Sequence, residues 1–170
     1  MPHPSARFPT MADQEQESVI RVREALAAAG VAGQVRRLDD SARTAKEAAD
    51  ALGIVPAQIA SSLIFMADGQ AVLVVASGGH RVDTAKVAAI LGVDEVGKAT
   101  ADDVRAATSF AIGGVAPIGH PAPLRTIVDS DLAQFDEVWA AGGHPHYVFP
   151  TSFDELVRIT GGTPADVGAA

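Results

Sequence analysis

Ile59-Ala60-Ser61-Ser62-Leu63-Ile64-Phe65-Met66, then Ala67-Asp68-Gly69, then Gln70-Ala71-Val72-Leu73-Val74-Val75-Ala76 is the stretch that decides the fold. Two apolar runs rich in strand-forming residues flank Asp-Gly, a dipeptide suited to a two-residue turn between antiparallel strands. The spacing predicts a β-hairpin at the centre of the chain.

Breakers and capping residues divide the rest. Upstream, Thr44 is placed to cap a helix running through Leu52, with Glu47 as its capping-box partner and Gly53 as its stop. Val35 to Leu38 is expected as a short strand. Ser18 to Ala29 sets Val19, Val22, Leu26 and Ala29 on one helical face before Gly30. Downstream, Asp83 opens a helix through Leu91 with Gly92 as its stop. Thr100 to Thr108 forms another, with Asp102 and Asp103 in its first turn, where the helix dipole favours anions. Leu124 to Val128, Glu137 to Ala140 and Tyr147 to Phe149 are expected strands, and Ser152 caps a last helix ending at Gly161-Gly162. The pattern predicts an α/β (α+β) fold, a mixed sheet with helices packed on it. Residues 1–12 carry three prolines and no hydrophobic period, so a flexible tail is expected there, with residues 13–170 as one domain.

Composition narrows the function classes. The 170 residues carry a net charge of −8, and the one cationic pair, Arg36-Arg37, sits beside Asp39-Asp40. Extended binding along a nucleic acid backbone draws on released counterions and needs a basic surface, so DNA is not expected as a partner. A brief encounter with one RNA end remains compatible. No cysteine is present, which excludes disulfides and thiolate metal sites. No apolar run approaches the ~18 residues of a membrane span. Residues 1–10 lack the apolar core of a signal peptide, so a cytoplasmic protein is expected.

Familiar nucleotide, zinc-protease and serine-hydrolase motifs are missing. His144-Pro145-His146 has metal-compatible spacing but no third ligand nearby, and no metal site is assigned. Two glycine loops carry the candidate chemistry. Gly113-Gly114-Val115-Ala116-Pro117-Ile118-Gly119 can present successive N–H groups to an anion or a developing oxyanion. The alternative is a tight helix-to-strand connection. Ser77-Gly78-Gly79-His80 follows the hairpin, and it too fits either a binding loop or a turn.

Several stretches resemble the YbaK/EbsC-like aminoacyl-tRNA deacylase family, the editing domains associated with prolyl-tRNA synthetases. These are Thr44 to Ala49 with Leu52-Gly53, Gln58 to Phe65, Arg81-Val82-Asp83 with Lys86, and Thr108 to Gly119. Val128-Asp129, Ala141-Gly142-Gly143 and Asp154-Glu155-Leu156 continue the likeness, which covers about residues 18–165. The resemblance implies a mixed, partly barrel-like sheet flanked by helices, and no metal or organic cofactor. It implies hydrolysis of the ester joining a wrong, small amino acid to the acceptor end of tRNA, by a free-standing relative. It also implies that Ser61 stands at a catalytic position and that the Gly113-to-Pro117 loop lines the aminoacyl pocket. Joined with the residue reading, the expected site is Ser61, Gly113 and Gly114 for catalysis, with Thr44, Ser62, Ser77 and Gly78 around the substrate. Val115, Pro117, Gly143 and His144 complete the expected pocket.

One departure stands out. Gln58-Ile59-Ala60-Ser61-Ser62-Leu63 matches a family segment Gln-Ile-Val-Lys-Ser-Leu, so Ser61 occupies the position of a lysine central to deacylation. Serine is neutral and several bonds shorter. Lys46 and Arg81 are other cations to consider in its place. Three readings therefore stand at this point: a deacylase, a silent module that binds the aminoacyl or tRNA end, and a hydrolase of another small ester or amide. Oligomeric state is not legible.

Overall fold

The computed structural model describes residues 11–169, with side chains from residue 17 onward. The expected tail at 1–12 therefore lies outside the described residues up to residue 10. Its boundary is corrected at residues 11 and 12, which already belong to the first helix. That helix, α1 (Met11–Ala28), is followed by β1 (Arg36–Arg37), α2 (Ala45–Leu52), β2 (Ile59–Ala67) and β3 (Gln70–Ser77). Next come α3 (Thr84–Leu91), β4 (Val96–Lys98), α4 (Ala101–Thr108), β5 (Arg125–Asp129), β6 (Val138–Ala141), β7 (Tyr147–Thr151), α5 (Phe153–Thr160) and β8 (Thr163–Ala165). Short 3-10 turns precede β2 and follow β5.

The hairpin forms in the expected register, Ala67 facing Gln70 across the turn. Asp68 and Gly69 have φ of 51° and 76°, both left-handed, as a type I′ turn requires. Each expected cap is made locally. The Thr44 hydroxyl accepts from Glu47 N–H at 3.1 Å, and the Asp83 carboxylate from Ala85 N–H at 2.9 Å. The Ser152 hydroxyl accepts from Glu155 N–H at 3.1 Å. Glu47 differs in one detail. Its carboxylate reaches the Arg43 N–H at 3.5 Å rather than returning to Thr44, so the box is open by one residue. The closed capping box is at α4, between Thr100 and Asp103.

All eight strands join one mixed sheet in the order β1-β7-β6-β2-β3-β5-β8, with β4 attached to β2 alone. β2 and β3 are antiparallel, whereas β2/β6, β3/β5 and β5/β8 are parallel. Successive residues of central β3 bury on opposite faces. Leu73 and Val75 enter the main core with Val22, Leu26, Phe110 and Phe149. Val72 and Val74 pack with Val87 and Leu91 of α3. A third cluster joins Ala48 and Ala49 of α2 to Ile59 and Trp139. The mixed sheet with flanking helices is thus the architecture the residue pattern predicts.

The outer edge of β2 is divided between two neighbours. Ile59 and Ala60 pair with β6, Phe65 to Ala67 pair with β4, and Ser61 to Ile64 between them have no strand partner on that edge. The strand is continuous, but the sheet splits around its middle.

Candidate active site

The split in the sheet opens into a cavity of about 460 Å³, within the ~300–1,000 Å³ common for small-ligand sites. Ile59 to Phe65 of β2 form its floor, Ala42 to Ala45 and Ala48 one wall, and Trp139, Ala140, Tyr147 and Val148 another. Val104, Ile112, Gly113 and Val115 close it from the α4 side, and Lys98 with Ala99 stands at the β4 end.

Side chains alternate along β2. Ser62 shares the face of Ala60 and Ile64, which enter the main core, and Ser61 shares the face of Ile59. The cavity borders both serines because it sits in the notch itself. The Ser62 hydroxyl is buried with no hydrogen-bond partner among the described residues. Such a hydroxyl costs about 1–3 kcal/mol unless a bound group satisfies it.

The glycine loop is more constrained than its residues suggest. Gly114 N–H donates to the Ala111 carbonyl at 3.1 Å, and Gly113 between them has φ of 92°, which is a type II turn with glycine in the position that needs it. Gly114 packs on the His144 segment, where an added Cβ would stand 2.8 Å from the His144 Cα. The expectation that both glycine amides face the substrate is corrected accordingly. Gly113 borders the cavity, and the Gly114 amide is spent on the turn.

Of the expected site residues, Thr44, Ser61, Ser62, Gly113 and Val115 converge on the cavity. Ser77, Gly78, Gly114, Pro117, Gly143 and His144 do not line it. Ser77 is held elsewhere, its hydroxyl donating to Ala57 O at 2.7 Å and its N–H to the Asp129 carboxylate at 2.9 Å. Gly78 is pressed against Ala45 and Pro56, and Gly143 against Ser18 and Val22 of α1. Pro117 opens on a second, smaller hollow with His120. His144 stacks on His146 at 5.5 Å between ring centroids. The two cations considered as replacements for the lysine also lie outside the cavity. Lys46 pairs with Asp50 at 3.3 Å on the exposed side of α2.

Arg43 and Lys98 are the cations that do line it, and neither was singled out from the sequence. Their signal was weak, since Arg43 precedes a cap and Lys98 belongs to a three-residue strand. Trp139 is buried against the cavity, with the Arg36 guanidinium 5.3 Å from its ring centre. A separate cluster lies at the end of β3 and β5. His80 is bonded to Asp129 at 2.5 Å and to Asp131 at 3.0 Å, while Asp129 also accepts N–H bonds from Ser77 and Asp131. Those ligand atoms lie within 4.8 Å of one another, a metal-compatible spacing. Each imidazole nitrogen already faces its own carboxylate, and the hub ties the Ser77 turn to β5.

Residues 39–159 match the family model of the aminoacyl-tRNA editing domain. The chain belongs to that family. A solved structure of a candidate trans-editing enzyme for prolyl tRNA synthetase superposes with a TM-score of 0.84 at 42% identity, covering 90% of this chain and 98% of that one. Protein YwhH of Bacillus subtilis is 31% identical over 127 residues, 74% of this chain and 80% of its own length. Proline–tRNA ligase of Lactobacillus acidophilus is 27% identical over 106 residues, which are 62% of this chain. The editing-domain chain spans only about a fifth of that ligase, 19%. No helix among the described residues is long and apolar enough to cross a membrane.

Proposed function

We propose that this editing domain hydrolyses the ester between a small, mischarged amino acid and the 3′ end of tRNA. The observation that carries the reading is the convergence of Thr44, Ser61, Ser62, Gly113 and Val115 on one cavity cut into the sheet. Ala45, Ala48, Val115 and Ala140 line it with small apolar groups, which suits a small side chain. The acylated end enters transiently, and the reaction belongs in the cytoplasm, where tRNA is charged. From Met11 of α1 onward the chain acts as one editing unit.

Water is the nucleophile in this scheme, oriented by backbone groups and by the vicinal ribose hydroxyl of the substrate. Ser61 and Ser62 position the ester, and the Gly113 backbone lies where charge builds on its oxygen. Among the described residues no histidine borders the cavity, so a serine nucleophile would lack there the positioned base it needs. A second reading, binding of the aminoacyl end without hydrolysis, is favoured by the neutral Ser61 at the position the resemblance gives to lysine. Incubation with a panel of mischarged tRNAs separates the two. The proposal expects ester loss above the rate in buffer for at least one small amino acid. Binding of that panel with no acceleration for any member establishes the second reading instead.

A further inference from the structure

The residues lining the cavity include two charged side chains, Arg43 and Lys98, and both are cations. This is a local reversal of sign in a chain of net charge −8. Neither has a carboxylate partner among the described residues, whereas Lys46, Lys86 and Arg158 pair with Asp50, Asp166 and Glu155. A cation beside an apolar cavity and free of a counter-charge is available to an anionic ligand.

Their placement is built into the fold. Arg43 immediately precedes the Thr44 cap, and its stem passes beside Gly113, where an added Cβ would meet the Arg43 Cβ and Cγ at 3.4 Å. Lys98 is carried by β4, which is attached to the sheet only through β2. Its partner across the ladder is Phe65, so Lys98 shares the face of Phe65, Leu63 and Ser61. Phe65 lies four steps along β2 from Ser61, about 13 Å at ~3.3 Å per step. Lys98 therefore stands at the far end of the cavity and does not replace an ammonium group at residue 61. Leu63 and Ile112 also line the cavity and add exposed apolar surface to it, at 38% and 59% exposure.

We propose that Arg43 and Lys98 form an anion subsite at the cavity mouth that takes the phosphodiester groups of an RNA 3′ end. The choice of anion follows from the chemistry of the substrate proposed above, on which this inference rests. The amino acid's carboxylate is consumed in the ester, so the negative groups left on an acylated RNA end are its phosphodiesters, one ribose away. Arginine offers a fork of donors to phosphate and lysine a compact charge. Leu63 and Ile112 then meet the apolar faces of the terminal bases. The subsite gives an acidic domain a local means of holding RNA at its end.

The test titrates the full chain with an uncharged CCA trinucleotide, with adenosine and with inorganic phosphate. Wild type, Arg43→Gln/Lys98→Gln and Lys46→Gln are compared, the last removing an equal charge outside the cavity. Wild type is expected to bind CCA with a log–log salt slope near −1.4, about −0.7 for each of two single-strand phosphate contacts. The double variant is expected to lose at least tenfold in affinity and most of that slope, and Lys46→Gln to match wild type. Equal CCA affinity in wild type and the double variant overturns the subsite, as does an equal loss in Lys46→Gln. Inorganic phosphate binding as tightly as CCA overturns the assignment to RNA. Binding requires no ester, so the outcomes separate: CCA binding that depends on both cations without ester loss removes only the deacylase reading. Ester loss with unchanged binding and KM in the double variant removes only the subsite.

Discussion

At position 61 the chain presents a short neutral hydroxyl to a cavity whose family resemblance implies an ammonium group. A hydrogen bond to a charged group contributes about 1.5–3 kcal/mol, and 1.36 kcal/mol in a barrier is tenfold in rate. Ser61→Lys is therefore expected to raise the deacylation rate about ten- to a hundredfold in single-turnover measurements. An unchanged or lower rate contradicts the assigned register. A second residue-scale effect concerns His120, whose Nε2–H donates to the Ala116 carbonyl at 2.8 Å. Burial holds its proton affinity below the ordinary value of 6.5, and the charge of Arg21 adds to this while the Ala116 bond opposes it. Between that lowered native value and 6.5 the unfolded chain binds more protons, so stability is full above 6.5 and falls as the pH drops through it. Thermal melts at about pH 5 and about pH 7 should therefore differ more for wild type than for His120→Asn. An equal difference in both would remove His120 as a source of the pH dependence.

Elements with strong local chemistry were legible from their residues. The Asp68-Gly69 turn, the caps at Thr44, Asp83 and Ser152 and the stops at Gly53 and Gly92 all rest on neighbours in sequence, and their helices begin and end where predicted. The start of α1 was not legible, because residues 13–17 are mostly polar and the apolar period becomes visible only from Val19. β4 and β8 were missed for a different reason. Each has three residues, and Gly97 and Pro164 weaken the strand pattern in them, so partners far along the chain decide their pairing. The glycine loop was half legible: its residue types announced a special backbone, but the turn that occupies the Gly114 amide depends on the carbonyl of Ala111. Gly114→Val would drive Cβ and its methyls into the His144 backbone, and overpacking of this kind costs about 1–3 kcal/mol. Chemical denaturation should show the midpoint lowered with the slope preserved. A variant as stable as wild type would contradict this close approach.

At the scale of the whole molecule, the site is a consequence of how the strands are shared. β2 has β6 beside one end and β4 beside the other, and the cavity lies where neither reaches. No pattern within residues 59–67 announces this, because it depends on which distant strands pair there. The same non-local assembly brings Arg43 and Lys98 to one cavity and turns Ser77, Gly143 and His144 away from it. Ala99 offers the most direct test, since it is partly buried, lines the cavity and follows β4. The measurement is the rate of ester loss from a tRNA bearing a small mischarged amino acid, with wild type and with Ala99→Trp, at matched folded content. Wild type is expected to exceed the buffer rate and the filled variant to lose at least tenfold of that acceleration. Equal acceleration by the two proteins would contradict the placement of the chemistry in this cavity.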